Sequence, residues 1–382
     1  MPYKLIRTAS ILLLLLVVCC PLLLRGQSYT LYGDPQGLEH VERITYLIYD
    51  ARHQQVDQEL QLLKQKVPAT HPVHPLLKAL NLYWMDAPMH LASPHYKEFI
   101  QLLHQTNRQA EAYLDKDIDK SVSIFAALTA NSLLTRYHAE TGDYMAALKQ
   151  ARPTYAYMKQ GFELKDEYKE FYFPTGLYNY YRVKYPELHP VYKSFMWMFQ
   201  DGNKTLGLQQ MEYSVRNNVF TKAEAAVFLV HLYLYYENQP QKALQNIQIL
   251  YKQFPNNRFI RLQLAESLLA ARQYAAAAPH VAYLLQQSDA YYRAAGELFM
   301  GILQEKHYRN YQQALSLYNT ALTTAAPLNY IADTYRSMAH AGIARYHEAQ
   351  NQKEKAKAAW QEALKLAQYE YPVKQEAKAH LK

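Results

Sequence analysis

A 34-residue recurrence constrains this chain more than any other feature. Ala243, Ile247, Leu250 and Pro255 are spaced +4, +3 and +5, and Ala277, Val281 and Leu284 repeat the first three positions 34 residues on, with Asp289 where the Pro stood. Tyr274 precedes Ala277 by three. Tyr311, Ala314, Tyr318 and Ala321 continue the series, with Pro327 behind them, and Ala356, Trp360 and Ala363 recur after that. Upstream, Gly142-Asp143-Tyr144 with Ala147 has the look of the same turn and helix. The last two intervals exceed 34, so those units carry insertions. A small residue lets two antiparallel helices approach closely, and a large one a turn later fills the space toward the next pair. One pair cannot bury its apolar face alone, so stacked pairs share a continuous core.

Composition points the same way. Gly (11) and Pro (17) make about 7% of the 382 residues, against a background nearer 12%. Turns are scarce, which disfavours an all-β chain with a turn every ten residues. A hydrophobic fraction of 50% and an aromatic fraction of 13% exclude intrinsic disorder. The only two Cys are adjacent, so neither a disulfide framework nor a Cys-based zinc site is available.

These residues resemble the tetratricopeptide repeat superfamily, well over 221–325 and less closely over 120–160 and 335–370. His231 and Ala265 stand where the superfamily prefers Gly in the first helix, and Gly301 fits after a one-residue shift, so the chain reads as a divergent relative. The resemblance implies an all-α fold, an α-solenoid of stacked antiparallel helix pairs. Residues 120–165 form one such unit and 221–370 the later ones, with a tail at 371–382. Apolar spacing of three and four predicts helices over Leu38–Arg52, Val56–Lys66, Leu76–Met85 and Tyr96–Leu114. They make residues 27–119 two further pairs, broken at Pro68, Pro72, Pro75, Pro88 and Pro94. The whole is expected to be an elongated curved rod.

Lys4 and Arg7 precede an apolar run from Ile11 to Leu24, interrupted by Pro21. Fourteen helical residues span about 21 Å, short of the roughly 30 Å hydrocarbon core. Residues 1–26 therefore read as a cleaved signal peptide, with the cut after Gly26, and the protein as exported to the periplasm or cell surface. An uncleaved anchor is the rival. Lipidation at Cys19 or Cys20 is disfavoured, because Val18 and Cys19 precede them and the apolar run continues beyond. Residues 1–26 hold three of the 41 basic residues and no acid, which leaves 38 against 33 in the mature chain. The densest basic group, Lys353, Lys355, Lys357 and Lys365, is interleaved with Glu354 and Glu362, a solvated helix face and no nucleic-acid footprint.

Residues 166–213 fit no 34-residue register, and 166–220 are expected to be an irregular, aromatic-rich helical insert. Phe173-Pro174-Thr175-Gly176-Leu177-Tyr178-Asn179, the aromatic run through Phe195, Trp197 and Phe199, and the turn Asp201-Gly202-Asn203 leading to Gly207-Leu208 resemble secreted bacterial repeat proteins of unknown function. They are also similar to the eukaryotic outer-membrane and inclusion-body-clearance repeat family, which implies scaffolding. The aromatic run either packs on the stack and caps a break in it, or forms a hydrophobic patch for a partner or a membrane surface. Asn203-Lys204-Thr205 is a formal glycosylation sequon.

Catalytic constellations are absent: there is no Gly-rich phosphate loop, no Gly-x-Ser-x-Gly elbow, and His347-Glu348 lacks the second His of a zinc helix. His71 and His74 in Thr-His-Pro-Val-His-Pro have no third ligand beside them, and the Pro residues hold that stretch as an extended loop. No metal, cofactor or enzymatic activity is expected. Tyr is the outlier at 36 residues. The repeat register places Arg136, Phe228, Tyr235, Tyr236, Gln263, Glu266, Phe299 and Arg345 on the concave face, where aromatic rings and a few charges suit an extended peptide or a sugar chain. The favoured reading is a scaffold for a protein or peptide partner. The alternatives are a carbohydrate-binding envelope component and an enzyme with its site in the central insert.

Overall fold

Antiparallel helix pairs follow one another along the chain, and most of them turn on the same device. The computed structural model describes residues 29–188 and 190–382, without the side chains of Tyr192 and Phe195. The expected signal peptide, with Cys19, Cys20 and Gly26, lies outside the described residues. The pairs are α1 (Pro35–Tyr49) with α2 (His53–Leu63), α3 (Val73–Met85) with α4 (Tyr96–Leu114), and α5 (Lys120–Glu140) with α6 (Tyr144–Leu164). Then come α7 (Tyr172–Leu188) with α8 (Lys204–Asn217), α9 (Lys222–Tyr235) with α10 (Pro240–Gln253), and α11 (Arg258–Ala270) with α12 (Tyr274–Leu285). The last are α13 (Ala290–Lys306) with α14 (Tyr311–Ala325) and α15 (Asp333–Ala349) with α16 (Lys353–Leu366), followed by the short α17 (Gln375–His380). There is no strand among the described residues.

The turn inside six of these pairs holds one residue in the left-handed region: Ala51, Gly142, Asn238, Arg272, Arg309 and Asn351, with φ between 51° and 78°. That residue reverses the chain and lets the following amide reach back into the last helical turn, as Gln273 N does to Leu268 O at 2.8 Å and Gln352 N to His347 O at 2.9 Å. Asn and Asp side chains start the next helices. Asp143 Oδ1 accepts from Ala146 N at 3.0 Å, and Asn257 Oδ1 accepts from Phe259 N and Ile260 N at 3.0 and 3.1 Å.

The 34-residue register is the packing register. Ala243, Ala277, Ala314 and Ala356 are buried, and so are the large partners Ile247, Val281, Tyr318 and Trp360. Ala147 is only half-buried. Tyr318 shows how tight the seam is: Gly301 of α13 and Gly342 of α15 flank its ring, and a Cβ on either would overlap it.

Three expectations need correction. The stretch 166–220 is no irregular insert, because α7 and α8 form a pair like the rest. Their backbones touch at Gly176 and Gly207, where a Cβ on Gly176 would stand 2.9 Å from the Gly207 carbonyl oxygen. Only the connection between them is irregular. The tail 371–382 is built into the stack: Ala377 is buried, Glu376 pairs with Arg345 at 3.0 Å, and His380 stacks on Trp360 with centroids 4.7 Å apart. The molecule is also no open rod. Asn257 Nδ2 donates to Tyr49 O at 3.0 Å, Asn256 Nδ2 to Asp50 at 3.1 Å, and the Tyr292 hydroxyl to Ala87 O. These contacts span more than 200 residues and set the ends of α1 and α3 against α11 and α13. One continuous core accordingly runs from Leu31 to Ala377.

Candidate functional site

Most of the inner face expected to bind a partner is already occupied by the chain itself. Tyr235 is buried and donates its hydroxyl to Glu266, whose other oxygen accepts from Tyr335 at 3.4 Å. Burial pushes the Glu266 carboxyl up to about 7, against the pull of those two hydroxyls. Phe299 is wholly buried, with its ring edge-on to Tyr335 at 5.6 Å, so it is a core residue and no contact for a partner. Arg345 Nε and Nη2 pair with Glu305 at 2.8 and 3.0 Å. Burial works to raise Glu305, and the guanidinium overrides it, holding that carboxyl at about 2. Gln263 and Tyr236 are half-buried. Tyr369, just before the C-terminal turn Glu370–Lys374, fills the groove beside them. Its ring lies 4.6 Å from His231, 5.0 Å from Tyr235 and 5.7 Å from Tyr236. Burial drives the His231 imidazole down to about 4, so it stands neutral in this aromatic cluster.

The two remaining inner-face residues, Arg136 and Phe228, meet elsewhere. They border a cavity of about 440 Å³ walled by α3, α4, α5, α6, α7 and the start of α9. Leu76, Leu80, Leu128, Leu133, Met158 and Leu177 supply most of the aliphatic wall, and Phe99, Phe125, Phe173 and Phe220 the aromatic one. The cavity exists because α6 is underpacked. Of its 21 residues only Gly161 is buried, where a Cβ would strike the Phe171 ring. Helix α6 leans on α5 and leaves a seam toward α7.

Polar groups collect at one end. Arg136, Tyr83, Glu224 and Phe228 line both this chamber and a smaller one of about 90 Å³ next to it, so they form the partition between the two. Arg136 is 51% exposed, and its Nε donates to Glu140 Oε1 at 2.6 Å. Glu224 is partly exposed and accepts from Trp84 Nε1 at 2.7 Å. The Tyr49 hydroxyl lies 2.5 Å from Phe220 O and 2.8 Å from Glu224 Oε2, two acceptors for one proton. Burial pushes the Glu224 carboxyl up to about 7, against the pull of the Trp84 and Tyr49 donors. Elsewhere on the wall, the Ser132 hydroxyl donates to Leu128 O at 2.7 Å, an ordinary within-helix bond.

The aromatic run divides. Phe199 packs edge-on against Tyr155 of α6 at 5.2 Å, while Trp197 is 82% exposed and caps nothing. The Phe195 side chain lies outside the described residues. Tyr144, Met145 and Leu148 at the start of α6 are also exposed, at 73%, 76% and 68%. His71, expected in a loose loop, is fully buried. Its Nε2 lies 3.1 Å from Asp119 Oδ2, which also accepts from Leu31 N at 2.7 Å. That pair latches the N-terminal segment in place. His74 is buried in the first turn of α3.

The sequence reading missed Glu224, Trp84, Tyr49 and the α3 and α7 walls. Glu224 sits in the first turn of its helix, where an acid is unremarkable. Only the fold brings Trp84 to it.

The turn geometry and the packing register settle the architecture. The fold is an all-α solenoid of stacked antiparallel helix pairs, tetratricopeptide-like in form. No family profile matches the sequence, and no curated protein matches it. Among solved structures, the C-terminal part of a TPR repeat-containing protein from Cytophaga hutchinsonii is 17% identical, with 90% of this chain and 99% of that chain covered and a TM-score of 0.29.

Proposed function

We propose that this protein is an exported, non-catalytic recognition scaffold, and that it binds through the apolar chamber beside Arg136. The chamber itself carries this reading. A cavity of about 440 Å³ falls in the roughly 300–1,000 Å³ range of ligand sites, which are apolar concavities with a few polar groups at one place. Ser132 is tied to Leu128 O, and Glu224 to Trp84 and Tyr49. That favours recognition over turnover. Walls with so few hydrogen-bonding groups suit an apolar guest better than a glycan. Export rests on the pattern Lys4, Arg7 and Ile11–Leu24, and N-terminal sequencing of the mature protein from its native envelope tests it.

The chamber is tested with a neutral apolar fluorophore, 1-N-phenylnaphthylamine. The purified chain is expected to bind it saturably at one equivalent. Leu133→Trp and Leu177→Trp, which fill the chamber from α5 and α7, should cut the affinity at least tenfold while the melting temperature moves little. Undiminished binding by both variants refutes the chamber as the site.

A protein partner is the second reading, favoured by the exposed stripe of Tyr144, Met145 and Leu148. A photo-crosslinker at position 148 should then capture one discrete envelope protein. Diffuse or absent adducts rule this out.

A further inference from the structure

We propose that the chamber takes a long-chain carboxylate, with the hydrocarbon tail among the apolar walls and the carboxylate on Arg136. This rests on the reading of the chamber as a binding site and names its ligand class.

Three observations carry the assignment. The first is the depth of apolar lining. Leu80, Leu128, Leu133, Met158, Phe173 and Phe228 come from α3, α5, α6, α7 and α9, so the guest is enclosed from several sides. Open apolar volume of this size is unfavourable in water and is relieved by a guest that needs no hydrogen bonds along its length. An unbranched hydrocarbon chain meets that requirement.

The second is charge confined to one place: Arg136 and Glu224 are the two charged side chains on the lining, and both belong to the partition. Glu224 is held by Trp84 and Tyr49 and has little left to offer a guest. Arg136 is the one cation on the lining of the chamber. A planar guanidinium carries five donors and matches a carboxylate bidentately. Its Nε donates to Glu140, and the Tyr83 hydroxyl also meets the guanidinium, so a guest carboxylate takes the donors these two leave.

The third is the access path. Arg136 is half-exposed and belongs to the partition toward the smaller chamber, whereas the apolar walls lie to one side of it. A carboxylate there keeps contact with water while its tail is desolvated. A cationic head in the same place would meet the guanidinium, whose charge Glu140 already shares.

The test compares three ligands with one tail: palmitate, hexadecanol and hexadecylamine. Each displaces 1-N-phenylnaphthylamine from the full purified chain at pH 8, below its aggregation threshold. Palmitate is expected to compete at least tenfold better than hexadecanol, and hexadecylamine worst. Arg136→Gln should abolish the preference of palmitate over hexadecanol. Glu140→Gln should strengthen it severalfold by freeing the guanidinium, an increase that a folding defect would not produce. Equal competition by the three heads overturns the ligand class, as does a palmitate preference that survives Arg136→Gln or is unmoved by Glu140→Gln. If the fluorophore binds and Leu133→Trp removes it while palmitate shows no preference, the chamber reading stands and the carboxylate fails. If the fluorophore does not bind, the chamber reading itself fails.

Discussion

Glu266 and Glu305 are both buried on the same inner face, yet one carboxyl is pushed up to about 7 and the other held at about 2. The difference is the partner. Glu266 faces the Tyr235 and Tyr335 hydroxyls, which solvate its charge weakly, whereas Glu305 has the Arg345 guanidinium. The consequence for stability has a definite sign. Below about pH 4.5 Glu266 is protonated in both folded and unfolded chains. Between there and about 7 the folded state keeps a proton that the unfolded state has released, so the contribution is lost as pH rises, by at most about 1.4 kcal/mol per unit. Glu266→Gln is permanently neutral and nearly isosteric. Its melting temperature relative to wild type should therefore rise by several degrees between pH 5 and pH 8. A difference that stays flat over this range sinks the assignment. None of this was legible in the sequence: Glu266 was read as a concave-face contact because its helical position faces inward, but inward here means packed against tyrosines 31 and 69 residues away.

At the scale of elements, the recurring turn explains what could be read and what could not. The register from Ala243 to Trp360 was visible because the same small-then-large alternation serves each seam, and the structure buries those residues as a set. Helices α7 and α8 use a different solution, Gly176 against Gly207, so no Ala marked the pair and it passed for an irregular insert. The turn itself showed in the sequence at Gly142, whereas the other five turns fill the left-handed position with Ala, Asn or Arg. An Arg in that conformation carries a strain of about 1–2 kcal/mol, partly offset by the roughly 0.5–1 kcal/mol of extra unfolded-state freedom a Gly would bring. Arg272→Gly should thus stabilise the protein by up to about 1 kcal/mol in denaturant titration, with the slope unchanged. Destabilisation would mean that the Arg272 side chain contributes more than its backbone costs.

At the scale of the molecule, closure decides whether the stack behaves as independent units or as one. An open solenoid is held by nearest neighbours, and its stability is roughly a sum of local terms. Here the ends of α1 and α3 rest on pairs more than 170 residues along the chain, through Tyr49 with Phe220, Asn257 with Tyr49, and Tyr292 with Ala87. The repeat pattern could not reveal this, because a period specifies each seam and says nothing about how far the superhelix turns before it meets itself. Asn257 isolates the closing contact. Its Oδ1 caps α11, while its Nδ2 reaches the Tyr49 carbonyl. Asn257→Asp keeps the cap and replaces the donor by an oxygen facing a buried carbonyl, a change costing about 1–3 kcal/mol. If the closure is real, the loss appears at both of its sides: amides at the end of α1 exchange faster, amides of α11 do so with them, and a single unfolding transition shifts to lower denaturant. If Asn257→Asp leaves exchange at 44–52 unchanged, the N-terminal pairs are an independent unit and the walls that α3 and α9 share around Glu224 are not held in place by the ring.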